Sequence, residues 1–111
     1  MDDISTKKEA KELILGKFDK ELLSYLKDNS TTIQKEIFGE KEYTHIVHCL
    51  KSLVAELFGL YSSGELSPIL QNNLFRAVSI CDDINVLALN LYVKFLYNKI
   101  PAEFLRKKKN K

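Results

Sequence analysis

Apolar residues in this chain recur at spacings of three and four, the period of a helix that buries one face. Ala10, Leu13, Ile14, Phe18, Leu22, Tyr25 and Leu26 fall on one side of such a helix, with lysine and glutamate at most positions between them. Ile33, Ile37 and Phe38 continue the same face. Thr6 followed by Glu9 is a capping-box start, and Gly39 is a natural stop. Residues 28–32, Asp-Asn-Ser-Thr-Thr, all prefer caps and turns, and Thr31 with Gln34 makes a second capping box. The pattern predicts a first helix over residues 6–38, either continuous or kinked near residue 29. Gly16 falls inside it at a cost of about 1 kcal/mol relative to alanine.

A second helix is predicted over residues 41–61, with Tyr43, Ile46, Val47, Leu50, Val54, Leu57, Phe58 and Tyr61 as its apolar stripe and Ser62-Ser63-Gly64 as its stop. Ser67-Pro68 is a start signal for a third, because serine suits the cap and proline the first helical position. Leu70, Leu74, Ala77, Val78 and Cys81 would form its buried face. Asp83 suits the cap of a fourth helix over residues 84–100. That segment carries Val86, Leu87, Ala88, Leu89, Leu91, Tyr92, Val93, Phe95, Leu96 and Tyr97, so it is apolar nearly all round. Only Asn90, Lys94 and Asn98 make a thin polar stripe. Pro101 ends the helix or starts a final turn through residue 105. Four helices with short connections predict an all-α antiparallel four-helix bundle. At 111 residues there is room for one domain, placed at residues 1–105, followed by a short basic tail at 106–111.

Composition narrows the class without naming a function. Apolar residues are 45% and charged residues 29% of the chain, with only four glycines and two prolines, an ordinary mix for a globular helical protein. The start of the sequence lacks the basic stretch and apolar core of a secretory signal. The apolar fourth helix is short and polar for a membrane span, which needs about 20 mostly apolar residues. Cys49 and Cys81 have no CxxC or CxxH partner and read as reduced, buried thiols. These features predict a cytoplasmic protein.

The net charge of +2 hides an asymmetry. Arg106, Lys107, Lys108, Lys109 and Lys111 carry five of the 17 basic residues, so residues 1–105 have a net charge of −3. A nucleic-acid-binding domain would place its basic surface on the folded body, so that class is disfavoured. The tail reads as a solubilising end. It also offers an anionic membrane surface about 1 kcal/mol per basic residue, which defines a membrane-associated alternative.

Candidate chemistry concentrates on the second helix. His48-Cys49-Leu50-Lys51, with Ser52 next, resembles the H-x-L-K-G motif of histidine phosphotransfer domains, which are also four-helix bundles of about this length. The resemblance covers about a dozen residues. It implies His48 as an exposed phospho-acceptor, Lys51 as the cation that steadies the phosphoryl charge, and Ser52 and Ala55 as small residues that admit the partner. The chain departs from that pattern in having Ser52 for the glycine, Leu53 and Val54 where small residues are usual, Glu56 nearby, and Gly59 one residue late.

Glu42, His45 and Cys49 have helical spacing for metal ligation, but a di-iron bundle requires a second Glu-x-x-His and further glutamates, and no other helix supplies a histidine. No metal or cofactor is expected. Adjacent helical residues do not face each other, so Asp82-Asp83 reads as cap and turn. No nucleophile and base are paired, and no enzyme is expected.

Residues 84–105 are similar to the closing helices of small bacteriocin immunity proteins. The likeness lies in an apolar Leu/Tyr-rich helix followed by Asn98-Lys99-Ile100 and then Pro101-Ala102-Glu103-Phe104-Leu105. That resemblance implies a small helical bundle that binds a protein. The leading expectation is therefore a non-enzymatic protein-binding bundle of immunity-factor, chaperone or inhibitor type. Its contact surface is expected at Leu89, Tyr92, Val93, Leu96, Tyr97 and Phe104, with a second copy of the chain as a further candidate partner. Phosphotransfer through His48 ranks second and membrane association third.

Overall fold

The computed structural model describes residues 3–60, 64, 70 and 83–101. Among them the only regular elements are helices: α1 (Lys7–Ile14), α2 (Asp19–Asn29), α3 (Thr32–Ile37), α4 (Glu40–Leu57), α5 (Asp83–Leu87) and α6 (Leu89–Lys99). The protein is all-α over this range. No described helix is long and apolar enough to cross a membrane.

The expected first helix is three helices. α1 begins at Thr6, whose extended backbone and hydroxyl cap the Glu9 N–H at 3.1 Å. It ends at Gly16, whose φ of +100° reverses the chain there. Gly16 is therefore a helix terminator rather than a tolerated interior residue, because only glycine takes that backbone without strain. The second break falls at the polar run. Ser30 leaves the helical region (ψ 144°), and the side chains of Asn29 and Ser30 donate to the open carbonyls of Tyr25 and Leu26 at 2.9 and 2.6 Å. α3 then restarts with a complete capping box. Thr31 Oγ1 accepts from the Gln34 N–H at 3.1 Å, and Gln34 Oε1 accepts from the Thr31 N–H at 2.9 Å.

α4 is the axis of the core. Ile46, Leu50, Leu53 and Val54 are wholly buried along it, and α1 and α2 both pack against it. Each such aliphatic side chain withdrawn from water contributes about 1.5–3 kcal/mol before ordering entropy is charged. The helix stops at Leu57, not near Tyr61. Gly59 (φ +71°) donates to the Glu56 carbonyl at 3.0 Å while Leu60 donates to Ala55 at 2.8 Å, the paired reversed bonds of a Schellman motif. The expected third helix lies outside the described residues except for Leu70, which is helical and buried.

The expected fourth helix is divided at Ala88 (φ −104°, ψ 6°) into α5 and α6. The Leu91 N–H bonds three residues back, to Ala88, at 2.9 Å. α6 ends at Ile100, in extended backbone ahead of Pro101, as the residue before a proline prefers. Ala88, Leu91, Tyr92, Phe95, Leu96 and Ile100 face the core, where Phe95 meets Tyr25 edge-on at 5.5 Å. The polar-looking first residues also contribute to the core. Ile4 is buried, and its N–H donates to the Lys99 carbonyl at 2.7 Å, which ties the start of the described chain to the end of α6.

Candidate functional site

Helical rotation splits the six residues expected to bind a partner. Tyr92 and Leu96 point inward with Leu91 and Phe95 and are buried in the core, so they present no surface. The Tyr92 hydroxyl donates to the side chain of buried Asn85. Leu89 is half-buried. Val93 and Tyr97, one turn apart on the opposite side of α6, are exposed, Tyr97 at 65%. Phe104 lies outside the described residues.

Three further apolar residues, which the sequence pattern does not mark as surface, are also exposed. Ile33 (69% exposed) and Ile37 stand on α3, and Leu87 ends α5. The periodicity assigns Ile33 and Ile37 to the buried face of a long first helix. The turn at Ser30 rotates α3 so that Gln34 is buried in their place. Gln34 is then the seam between α3 and the last two helices. Its Nε2 donates to the Leu87 carbonyl and to Asn90 Oδ1, both at 2.7 Å. Asn90 Nδ2 returns toward Gln34 Oε1 at 3.4 Å. Ile33 and Ile37 flank one end of this seam. Val93 and Tyr97 follow Asn90 by one and two turns at the other. Gln34 thus joins three helices that each carry exposed apolar side chains.

The histidine helix carries a different arrangement. His48 is exposed at the middle of α4. Lys51, three residues on, is occupied: its Nζ lies 2.7 Å from Asp19 Oδ1, and its side chain is only 17% exposed. Ser52 is half-buried and its hydroxyl reaches the His48 carbonyl at 3.4 Å. Ala55 is wholly buried, so it opens no space on an outer face, contrary to the role the motif implies. Glu56 is buried as well.

His45 Nε2 lies 3.6 Å from the sulfur of buried Cys49. The Glu42 carboxylate accepts from the Gly39 N–H at 2.7 Å and so caps the start of α4. Among the described residues no three histidine, cysteine or carboxylate side chains group as metal ligands.

Near the α3–α4 connection a cleft of about 430 Å³ is lined by Lys27, Lys35, Phe38, Gly39, Glu40 and Tyr43. Its charge is partly satisfied internally, because Lys27 pairs with Glu40 at 2.6 Å and lies over the Tyr43 ring. At the start of α1 the Glu9 carboxyl gathers several donors. The Ser5 hydroxyl first, then the Ser5 backbone N–H and the Thr6 hydroxyl, donate to it and hold it below the ordinary carboxylate range.

No protein-family model, no curated protein and no solved structure matches this chain.

Proposed function

We propose that this chain is a non-enzymatic protein-binding module, a single antiparallel helical bundle in the cytoplasm with a basic tail at residues 106–111, of the kind used by immunity factors, chaperones and inhibitors. One observation carries the reading. Ile33, Ile37, Leu87, Val93 and Tyr97 are exposed on the three helices that the Gln34 side chain joins. Contiguous exposed apolar surface on a small protein marks an interaction site more often than chance. Aromatic and aliphatic anchors of this kind supply most of the energy of helical interfaces.

The test is site-directed photo-crosslinking in cells that express the protein. A crosslinking residue at position 97 is expected to give discrete protein adducts. The same residue at exposed Lys41 is expected to give none, and Ile33→Glu is expected to abolish the position-97 adducts. Equal crosslinking from both positions, or none from position 97, overturns the proposal.

Phosphotransfer through His48 is the second reading, favoured by the exposure of that imidazole at mid-helix. The Lys51–Asp19 ion pair and the burial of Ala55 rank it below the first. It requires acid-labile label on His48 after incubation with a phosphorylated receiver domain, and loss of that label in His48→Gln.

A further inference from the structure

We infer that residues 31–37, the α3 segment, are a hinged latch that opens as a unit while the helices packed around α4 stay folded.

Length and burial set α3 apart. Six residues are far below the dozen or so at which a helix in water begins to hold by itself. So short a helix is kept by what it packs on. Thr31, Thr32, Ile33, Lys35, Glu36 and Ile37 are all exposed, and of residues 31–37 Gln34 alone is buried. The buried attachment is one side-chain amide, which donates to the Leu87 carbonyl and to Asn90 Oδ1 at 2.7 Å each. Two such bonds shift an equilibrium by on the order of a hundredfold at most. The core along α4, with Ile46, Leu50, Leu53 and Val54 wholly buried, opposes its own opening far more strongly.

Both ends of the latch return to one residue. Before it, Ser30 is extended, and its Oγ accepts from the Tyr43 hydroxyl at 2.9 Å. After it, Phe38 is extended and buried, and its ring meets that of Tyr43 edge-on at 5.6 Å. Tyr43 is itself buried on α4. Lys27, in the last turn of α2, pairs at 2.6 Å with Glu40, the first residue of α4, and the two helices also pack directly. The base of the excursion is therefore closed by contacts that do not run through α3, as in a compact loop whose ends meet. Extended backbone at Ser30 and Thr31 on one side, and at Phe38 and Gly39 on the other, supplies the hinges. What Gln34 grips is the break between α5 and α6 at Ala88, so opening the latch releases that break.

Native-state hydrogen exchange of the full chain in a series of low urea concentrations tests the latch. The Lys35 N–H donates to the Thr31 carbonyl at 3.0 Å and the Phe38 N–H to the Gln34 carbonyl at 2.9 Å. Both bonds are lost when the released helix unwinds. These two amides are expected to share one opening equilibrium, at least about 30-fold more frequent than that of the Leu50 and Val54 amides. Its urea dependence is expected to be slight, because little surface is uncovered.

Three variants separate the latch from the core and from simple fraying. Ile46→Val weakens a core that the open form keeps. It is expected to speed exchange at Leu50 and Val54 by roughly two- to tenfold and to leave Lys35 and Phe38 unchanged. Gln34→Ala removes the clasp and is expected to speed exchange at Lys35 and Phe38 by roughly tenfold or more. Asn90→Ala leaves the Thr31–Gln34 capping box intact and removes a clasp partner 56 residues away. It is expected to speed the same two amides by roughly three- to tenfold, a response that local fraying would not give.

One opening equilibrium and one urea slope for α3 and α4 overturn the inference, because α3 would then belong to the cooperative core. Exchange at Lys35 and Phe38 that ignores Asn90→Ala also overturns it, since the clasp would not be what holds the segment. So does exchange of those amides in the parent at the rate of an unstructured chain, which would mean that the latch does not close.

Discussion

Gln34 Nε2 donates to the Leu87 carbonyl at 2.7 Å, joining the first turn of α3 to the last residue of α5 across 53 positions of sequence. The bond explains why the last apolar segment is two helices. In an unbroken helix the Leu87 carbonyl would accept from the Leu91 N–H. Here that N–H turns back to Ala88, and a buried side chain from another element serves the carbonyl instead. The same amide grips Asn90, so one glutamine fixes both the break and the direction of α6.

Removing that amide leaves a carbonyl and an asparagine short of a partner in a partly buried place. Gln34→Ala is therefore expected to lower unfolding free energy by about 1–3 kcal/mol. Asn90→Ala is expected to cost less, because Gln34 keeps its bond to Leu87. Gln34→Glu should cost more than Gln34→Ala at neutral pH, since it turns an acceptor toward a carbonyl. Urea denaturation of the three variants orders them.

Two glycines test the helix boundaries. Gly16 and Gly59 both sit at positive φ. An alanine there is expected to cost about 1–2 kcal/mol through the left-handed backbone alone. At Gly59 nothing lies within 4 Å of an added Cβ, so Gly59→Ala should show the backbone cost by itself, and Gly59→Asn should recover part of it. At Gly16 the Cβ would also meet Asp19 Oδ2 at 3.2 Å, so Gly16→Ala should be the worse of the two. Equal stability of Gly16→Ala and the parent in thermal denaturation would mean that the chain can pass from α1 to α2 without that turn.

The helices are legible in the sequence where a cap and a period agree. Thr31 with Gln34 forms the full capping box, Thr6 caps the Glu9 N–H while the Glu9 carboxylate reaches the Ser5 N–H instead of that of Thr6, and the polar run at 28–32 does break the chain. The misreadings share one cause, which is that periodicity registers an apolar face but not a rotation of the axis. Gly16 and Ala88 each interrupt a run whose apolar spacing continues across them, so the helices on either side read as one longer helix. The same blindness assigns exposed Ile33 and Ile37 to the core, and a segment apolar nearly all round does not say which side Tyr92 and Leu96 take, so the expected contact surface includes two buried residues. Gln34 as a buried seam has a local signal, its capping role, but its partners lie more than 50 residues away and no spacing rule reaches them.

The acid limb of stability should depend on Glu9. Its carboxylate accepts from Ser5 and Thr6 in the folded chain, so its folded pKa is depressed relative to the unfolded chain. A depressed carboxyl contributes stability that is fully present above the unfolded value, near 4.3, and is lost as pH falls through the folded one. Glu9→Gln is therefore expected to flatten the pH dependence of stability below about pH 4.3 while keeping part of the cap. Parallel acid titrations of parent and variant, followed by circular dichroism, give the comparison. Superimposable acid limbs would rule out the cap as a contributor.

Asp19 serves the fold twice, and separating its two roles also bears on His48. It stands in the first turn of α2, where a negative side chain complements the helix dipole, and it holds Lys51 at 2.7 Å. Asp19 is half exposed, so the pair is screened on one side. Asp19→Asn is expected to cost only about 1 kcal/mol. Lys51→Met should cost less still, since the stem of Lys51 is mostly covered and methionine preserves that apolar contact. The same two variants separate the readings of α4. If His48 accepts a phosphoryl group, the cation must turn from Asp19 to the phosphate, so Asp19→Asn should speed acid-labile labelling of His48 and Lys51→Met should slow it. Labelling that ignores both changes, or never occurs, leaves the Lys51–Asp19 pair as a structural tie between α2 and α4 and leaves His48 with no part in phosphotransfer.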